Sequence, residues 1–448
     1  MKIGFRQLME EASLAACGIT ASDRVLVALS GGADSTALLL SMKEWLASGG
    51  IGGLFAAHLN HGIRAEDAMR DQRFCERLCG ELGVPLAVES CSVPAFAKEK
   101  GISIELAARE LRYNFLERAR QSFGADVIAT AHHKDDQAET VLLHLLRGAG
   151  VGGLGGMKPR NGRIVRPLLP IGREEILAYL AERGASYCED KTNAENDATR
   201  NRIRNELVPL LRTYNPNITE ALCRTAALCA ADDALLTELA DEAEKKITLS
   251  AGLDRTKLGD LPEPLKSRVV RKRILALDGN VSEADIARVT ALLTAQTGTK
   301  IELAGRYCAW VNAETLMIGT YPQVANYETP FVFDGETRTP RGVLISERVQ
   351  EWRKPKSGEE AFLSIDALPK DLVVRSRREG DRFFPLGAPG SRKLSDVFTD
   401  RKIPLEQRDL PLLCAGNEVF YAAGLTISEK ARVTAKTREI LHITFNRG

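Results

Sequence analysis

No apolar run in this 448-residue chain is long enough to span a bilayer. The opening Met1-Lys2-Ile3-Gly4-Phe5-Arg6-Gln7 lacks the charged-then-apolar pattern of a secretory leader, so a cytoplasmic location is expected. A dominant charge is missing too: 61 Lys and Arg stand against 60 Asp and Glu, a net of +1. No global field therefore advertises a polyanionic partner, although balance overall can still hide a local basic surface. The nine cysteines are scattered and contain no C-x-x-C, which argues against a disulfide framework, a zinc finger and a paired-thiol sulfur relay. Cys75 and Cys79, four apart on an expected helix, read as buried small hydrophobes. No Gly-x-x-x-x-Gly-Lys-Ser/Thr occurs, which excludes a Walker loop.

What is present is the composition of an ordinary globular protein, 44% hydrophobic and 27% charged, in a chain too long for one core. From Ser22 to about Leu169 strand-like and helix-like segments alternate. Val25–Leu29, Leu54–Leu59, Val84–Val88 and Val127–Thr130 read as strands; Ser35–Trp45, a stretch through Phe74 and Leu78, and Ile104–Phe123 read as helices. Continuous apolar strands between amphipathic helices predict a parallel, doubly wound sheet covered on both faces, with ligands at the carboxyl ends of the strands. After Pro209 the pattern turns helical, over Asn217–Lys246, Leu265–Leu277 and Ser282–Leu293. From Lys300 short apolar runs broken by Gly, Pro and Thr predict small β-rich units, and the stretch Glu351–Glu360 is expected to precede a last module over Phe362–Phe445. The fold class is thus α/β: a Rossmann-like sheet domain at 1–214, a mainly helical middle with short strands at 215–350, and a small α+β module at 360–448.

Ser30-Gly31-Gly32-Ala33-Asp34-Ser35-Thr36 joins the first strand to a helix. Two glycines let successive N–H groups turn inward as an anion nest, and the helix N-terminus adds its partial positive charge. Ser30, Ser35 and Thr36 add hydroxyls. Asp34 is a poor phosphate ligand but a good magnesium partner. The competing reading is a plain glycine turn with a serine cap. Gly148–Gly153 fits a dinucleotide pattern but follows a helix rather than a strand, and reads as a flexible loop.

His58-Leu59-Asn60-His61-Gly62-Ile63-Arg64 ends the second strand, on the ligand-facing edge. In Ala131–Thr140, Asp136 and Glu139 share one helical face, where they can hold magnesium or accept a proton from an amine, or simply suit the helix dipole. Arg109 and Arg112 share a face of the helix around Glu105–Tyr113, against the alternative of solvated Glu–Arg pairs. Asp190 and Asn193 could receive a small amine, and Arg200 and Arg204 could meet phosphates.

The form Ser-Gly-Gly-x-Asp-Ser resembles the PP-loop ATP pyrophosphatases. Together with His58–Arg64, Glu105–Tyr113, His132–Gly156, Arg166-Pro167-Leu168-Leu169, Glu189–Arg204, Gly380–Phe383, Lys393–Phe398 and Arg401-Lys402-Ile403-Pro404, it resembles the bacterial tRNA(Ile)-lysidine synthetase family over nearly the whole chain. The stretch from about 240 to 350 matches only in general character. The resemblance implies ATP and Mg2+ as cofactors, with free L-lysine and a CAU-anticodon tRNA(Ile) as partners. A homodimer is left open. It implies ATP binding by Ser30, Gly31, Gly32, Ala33, Asp34, Ser35, His58 and Asn60, with backbone groups near His58 and Asn60 meeting adenine. Metal binding falls to Asp34 and Asp136, and catalysis to Asp34, Arg112, Asp136 and Glu139. Lysine falls to Asp190 and Asn193, with Asp136, Glu139 and Asp190 as alternative proton acceptors. For tRNA it implies Arg200, Arg204, Arg382, Lys393, Arg401 and Lys402, within a basic run that also holds Arg375, Arg377, Arg378 and Arg392 and is interleaved with Phe383, Phe384 and Phe398. A PP-loop tRNA thiolase would share the loop but lacks its cysteine pair here. An amidating ligase would need an ammonia source. An RNA-binding protein that merely stores nucleotide would release no pyrophosphate.

Overall fold

The computed structural model describes the chain except for residues 1–3, 61–64, 189–198, 251, 278–280, 322–325, 389, 402, 404–407 and 448 and the side chains of 65–67. It contains two compact units, Met1–Leu235 and Leu236–Gly448.

The first unit is built on six strands: β1 (Arg24–Ala28), β2 (Gly53–Asn60), β3 (Leu86–Ser90), β4 (Val127–Ala129), β5 (Arg160–Asn161) and β6 (Ile164–Val165). Their order is β3-β2-β1-β4-β6-β5, parallel except for the β5–β6 hairpin at one edge. Alternation along the strands feeds two cores. Val25 and Val27 of β1 face α1 (Phe5–Ala15), α2 (Ala33–Ala47) and α3 (Ala65–Leu82), through Met9, Leu38, Leu39, Met42, Phe74 and Cys75. Leu26, Ala57 and Ile128 face the other way, onto Phe115, Leu116 and Ala119 of the helix Ile104–Phe123. Each Leu or Phe so buried contributes about 1.5–3 kcal/mol, which makes the central strands the most firmly held part of the unit. The chain winds outward from β1 through β2 and β3, then returns to β4 on the other side of β1. This reversal opens a crevice between the carboxyl ends of β1 and β4.

Further helices complete this unit. With α4 (Val93–Lys100) and α5 (Ile104–Phe123), they are α6 (Lys134–Leu146), α7 (Val151–Leu154), α8 (Arg173–Glu182), α9 (Thr199–Arg202) and α10 (Val208–Tyr214), then α11 (Ile218–Ile247), within which the two units divide. The glycine run Gly148–Gly153, expected as a flexible loop, instead opens α7, and the turn that follows is pinned by Gln137. That side chain accepts from Met157 N at 2.7 Å and donates to the Met157 carbonyl at 3.2 Å. A Cβ on Gly156, whose φ is +64°, would fall 2.7–2.9 Å from this amide, so only glycine fits there.

In the second unit, helices Glu263–Leu275 and Glu283–Ala291 pack against a five-stranded sheet that includes Tyr307–Val311 and Thr315–Thr320, around Val269, Val270, Ile286, Val289 and Val311. Beyond it lie a seven-stranded and a four-stranded sheet. Gly342–Val349 and Glu360–Ser364 both pair with Ile440–Arg447, and Glu328–Pro330 pairs with Val373–Arg375. Strands from both sides of Glu351–Glu360 therefore share their sheets, and that stretch is a connection inside the last module rather than its boundary. Among the described residues no helix is long and apolar enough to cross a membrane.

Candidate active site

The turn after β1 is held open from behind. Gly31 has φ +90°, and a Cβ there would meet Cys75 Sγ at 3.3 Å and the Phe74 ring at 3.4 Å. Ser35 Oγ accepts from Ser30 N at 3.2 Å, lies 3.0 Å from Ser30 Oγ and donates to the Gly32 carbonyl at 3.1 Å. Thr36, fully buried, donates to the Gly31 carbonyl at 3.4 Å. These hydroxyls shape the loop from within. The N–H groups of Ala33, Asp34 and Ser35 open α2 and have no carbonyl one turn back, so they are the donors available to an anion.

His58 and Asn60 serve this frame with their side chains. His58 is buried, its Nδ1 lies 2.9 Å from the Leu29 carbonyl, and burial lowers its pKa. Asn60, also buried, donates to Gln72 Oε1 at 3.1 Å. His61 and Arg64 lie outside the described residues.

Across the crevice, His133 caps α6 and is nearly buried. Its Nε2 is 3.4 Å from Asp136 Oδ2 and 3.7 Å from Asp34 Oδ2, which joins the first turn of α2 to that of α6. Burial works against protonation of His133, but Asp135, Asp136 and Asp34 together outweigh it and raise the pKa. Asp135 in turn is held at about 2, by His133 first. Burial opposes ionisation of Asp136, yet the charges of His133 and Arg200 keep its carboxyl below its usual range. Asp34 also meets Arg173 Nη1 at 3.3 Å through Oδ2, while its Oδ1 is buried without a hydrogen-bond partner. His133 and Arg173 were not singled out from sequence. A histidine directly before Lys-Asp-Asp, at a helix start, was the available signal for the first.

Asp136 and Glu139 do share a face, and that face is occupied by arginines. Glu139, only 3% exposed at its side chain, accepts from Arg200 Nε at 3.0 Å and from Arg204 Nε at 2.6 Å. Asp136 Oδ1 lies 3.4 Å from Arg200 Nη2 and 3.1 Å from Arg204 Nη2. Arg204 sits in a π-helical turn, Ile203–Leu207, between α9 and α10, a local rewinding common at functional sites. This geometry bears on two expectations. Arg200 and Arg204, expected to meet RNA phosphates, are both paired with carboxylates. Glu139 has both oxygens engaged, by three N–H groups of Arg200 and Arg204. Asp190, Asn193 and Glu189 lie outside the described residues, but both flanks of 189–198 are anchored in the site: Cys188 N donates to the Gly31 carbonyl at 2.9 Å, and Arg200 is held by Glu139.

On the α5 side, Arg109 lies 5.0 Å over the Tyr113 ring and Arg112 is exposed beside it. Neither Arg109 nor the buried Arg166, which follows β6, has an acidic partner among the described residues.

In the last module the basic run divides. Arg375 is fully buried and grips Asp381 bidentately at 2.7 and 3.1 Å, which removes it from any RNA-facing surface. Phe383 and Phe398 are core residues, and the partly exposed Phe384 lies under Lys430 at 4.2 Å, so the interleaved aromatics form no stacking platform. Arg378 pairs with Glu328 at 2.7 Å and Arg392 with Asp400 at 2.6 Å. Arg382 and Lys393, by contrast, stand directly opposite each other on a short hairpin, both exposed. Arg401 is exposed at the end of the helix Leu394–Asp400, and Lys402 lies outside the described residues.

Residues 3–211 match the family described as a PP-loop domain, and residues 372–443 the one described as a TilS substrate C-terminal domain. The chain is 36% identical over 420 residues to a tRNA(Ile)-lysidine synthase of Bacteroides thetaiotaomicron, covering 94% of each protein. It is 34% identical to the one of Dehalococcoides mccartyi, over 95% of this chain and 96% of the relative. With that of Geobacter sulfurreducens it shares 36%, over 93% and 92%.

Proposed function

Since the chain belongs to the tRNA(Ile)-lysidine synthase family, we propose that it ligates lysine to C2 of the first anticodon cytidine of a CAU-bearing tRNA(Ile), with ATP converted to AMP and pyrophosphate. The observation that carries this reading is the meeting of an anion nest after β1 with Asp34, His133 and Asp136 at the sheet's reversal point. Cytidine O2 attacks the α-phosphate of ATP and pyrophosphate leaves. The neutral ε-amine of lysine then attacks C2, and AMP departs with the former O2.

In the first step the N–H groups of Ala33, Asp34 and Ser35 receive phosphate oxygens and hold the departing pyrophosphate. Magnesium fits this site, because the buried Asp34 Oδ1 lacks a partner and Asp136 stands close by; one or two carboxylates plus substrate phosphates are its usual protein ligands. When bound there it would neutralise charge on the leaving group. Asp136 holds His133, and Glu139 keeps Arg200 and Arg204 at the edge of the crevice; this positioning is how both acids serve catalysis. Lysine's ammonium, with an unperturbed pKa of about 10.4, must lose a proton before it attacks. Asp190 and Asn193 are our assignment for the amino acid, supported by the anchoring of both flanks of 189–198 on the loop and on Glu139.

We assign the chemistry to residues 1–214 and the grip on the tRNA body to the last module, with Arg382, Lys393, Arg401 and Lys402 as its phosphate contacts, and the cytoplasm as the site of action. The test is incubation with CAU-anticodon tRNA, ATP and lysine, then mass analysis of nucleosides. Lysidine together with stoichiometric AMP is expected. Pyrophosphate release without an altered cytidine, or a thiolated base, would refute the reading.

A further inference from the structure

We propose that Arg109, Arg166 and His132 form a second anion subsite, separate from the nest after β1, that receives a backbone phosphodiester of the RNA beside the reacting cytidine. The inference rests on the function proposed above and assigns how the RNA is held at the point of attack.

His132 and Arg166 follow β4 and β6, neighbouring parallel strands, so both lie at the carboxyl edge of the sheet next to the reversal point. Arg109 comes from α5, which packs on the face opposite α2. Arg166 is 7% exposed. One of its nitrogens donates to the Lys158 carbonyl at 2.7 Å, but its buried Nε has no partner. Leaving a buried donor unmet costs about 1–3 kcal/mol, and a buried charge without a counter-ion costs more. Tyr113 offers Arg166 a hydroxyl, which is no counter-ion. No carboxylate offsets that cost, since Arg109 and Arg166 have no acidic partner among the described residues. Arg112, one turn from Arg109, has an interaction of its own and is not counted. Thr130 Oγ1 sits 3.0 Å from His132 Nδ1 and fixes the ring. Burial first, then Arg166, Arg200 and Arg109, hold His132 at about 4 against the pull of Asp136, so it enters the cluster as a neutral imidazole that can donate one hydrogen bond. An anion would complete this set.

The side of the sheet selects the anion. Displacement at the α-phosphate places the attacking and leaving oxygens roughly in line. With pyrophosphate held by α2 on one face, the base must approach from the other face, where α5 stands. The nearest anion carried by that substrate is a phosphodiester flanking the cytidine. An ATP phosphate is the competing source of the same chemistry.

The test uses the full-length enzyme, ATP alone, and a CAU anticodon stem-loop in which each phosphate flanking the cytidine is replaced in turn by a neutral methylphosphonate. Arg109→Gln should weaken stem-loop binding by about tenfold, as expected for one charged hydrogen bond, and leave ATP affinity measured by calorimetry unchanged. One methylphosphonate should cause the same loss in the wild type and no further loss in Arg109→Gln. Arg166→Lys, which keeps the charge but not the fork, should fall between. Lower ATP affinity with stem-loop affinity retained would hand the site to the nucleotide. Additive losses at both positions in an enzyme that still forms lysidine would overturn the subsite alone, whereas a wild type that forms none counts against the parent reading.

Discussion

Arg200 and Arg204 of the first unit point their guanidiniums at two carboxylates, one of them nearly buried, while Arg382 and Lys393 of the last module face each other across a hairpin, without an acidic partner among the described residues. The same residue types do different work in the two places. In the first, a charged network is closed on itself and fixes the position of α9 and the π-helical turn against α6. In the second, two like charges sit directly opposite, an arrangement that costs a few tenths of a kcal/mol or more, and the Arg382 guanidinium meets only the Ser391 hydroxyl among the described residues. Closed charges hold structure; open ones are free of that task. Arg375 and Arg382, seven residues apart in one basic run, show the distinction within a single module.

That contrast can be broken in four ways. Asp34→Ala should reduce lysidine formation by at least about 100-fold, a loss of the size seen when one transition-state partner is removed, with its thermal midpoint close to the parent's. Near-normal pyrophosphate release by the folded variant would remove Asp34 from the chemistry. Arg375→Met should leave the buried Asp381 carboxylate without a counter-ion, held only by the Arg378 backbone N–H, and destabilise the last module by about 3–5 kcal/mol, read by urea unfolding. If stability held and tRNA affinity fell instead, Arg375 would belong with the open charges.

Glu139→Gln should cost less, about 2 kcal/mol, because Arg200 and Arg204 are partly solvated and can recover hydration. Its turnover should fall more than its tRNA affinity. A gain in tRNA affinity with turnover intact would mean the carboxylates merely mask phosphate-binding arginines. Lys393→Gln with Arg382→Gln should raise the unfolding midpoint slightly, by removing the opposed charges, and reduce the salt dependence of log affinity for full-length tRNA by roughly 0.7–0.9 per lost contact. Reaction on a short anticodon stem-loop should change little. Equal losses on both RNAs would assign the hairpin to the fold.

The parallel sheet, the loop at Ser30–Ser35 and the long helices were legible because each is written locally, as a run of apolar residues, a pair of glycines or a helical period. Ile104–Phe123 coincides with the expected helix at both ends, since Ser103 caps its start and Gly124 ends it in a left-handed turn. The β5–β6 hairpin was not legible, because two-residue strands carry no period of their own. Nor was the true extent of the last module, whose strands pair across nearly a hundred residues.

The sequence by itself determined the doubly wound class, the phosphate loop and the family, because backbone geometry and nest chemistry depend on residues adjacent in the chain. It also named Asp34, Asp136 and Glu139 for catalysis and, separately, Arg200 and Arg204 for phosphates. Only the tertiary structure decided that His133 links the first two, that Glu139 consumes the two arginines, that His58 and Asn60 brace the loop with their side chains, and that Arg375 lies inside while Arg382 and Lys393 lie outside. The reason is physical: a charge acquires its role from the partner and the solvent it meets in space, and neither is encoded by the residues beside it.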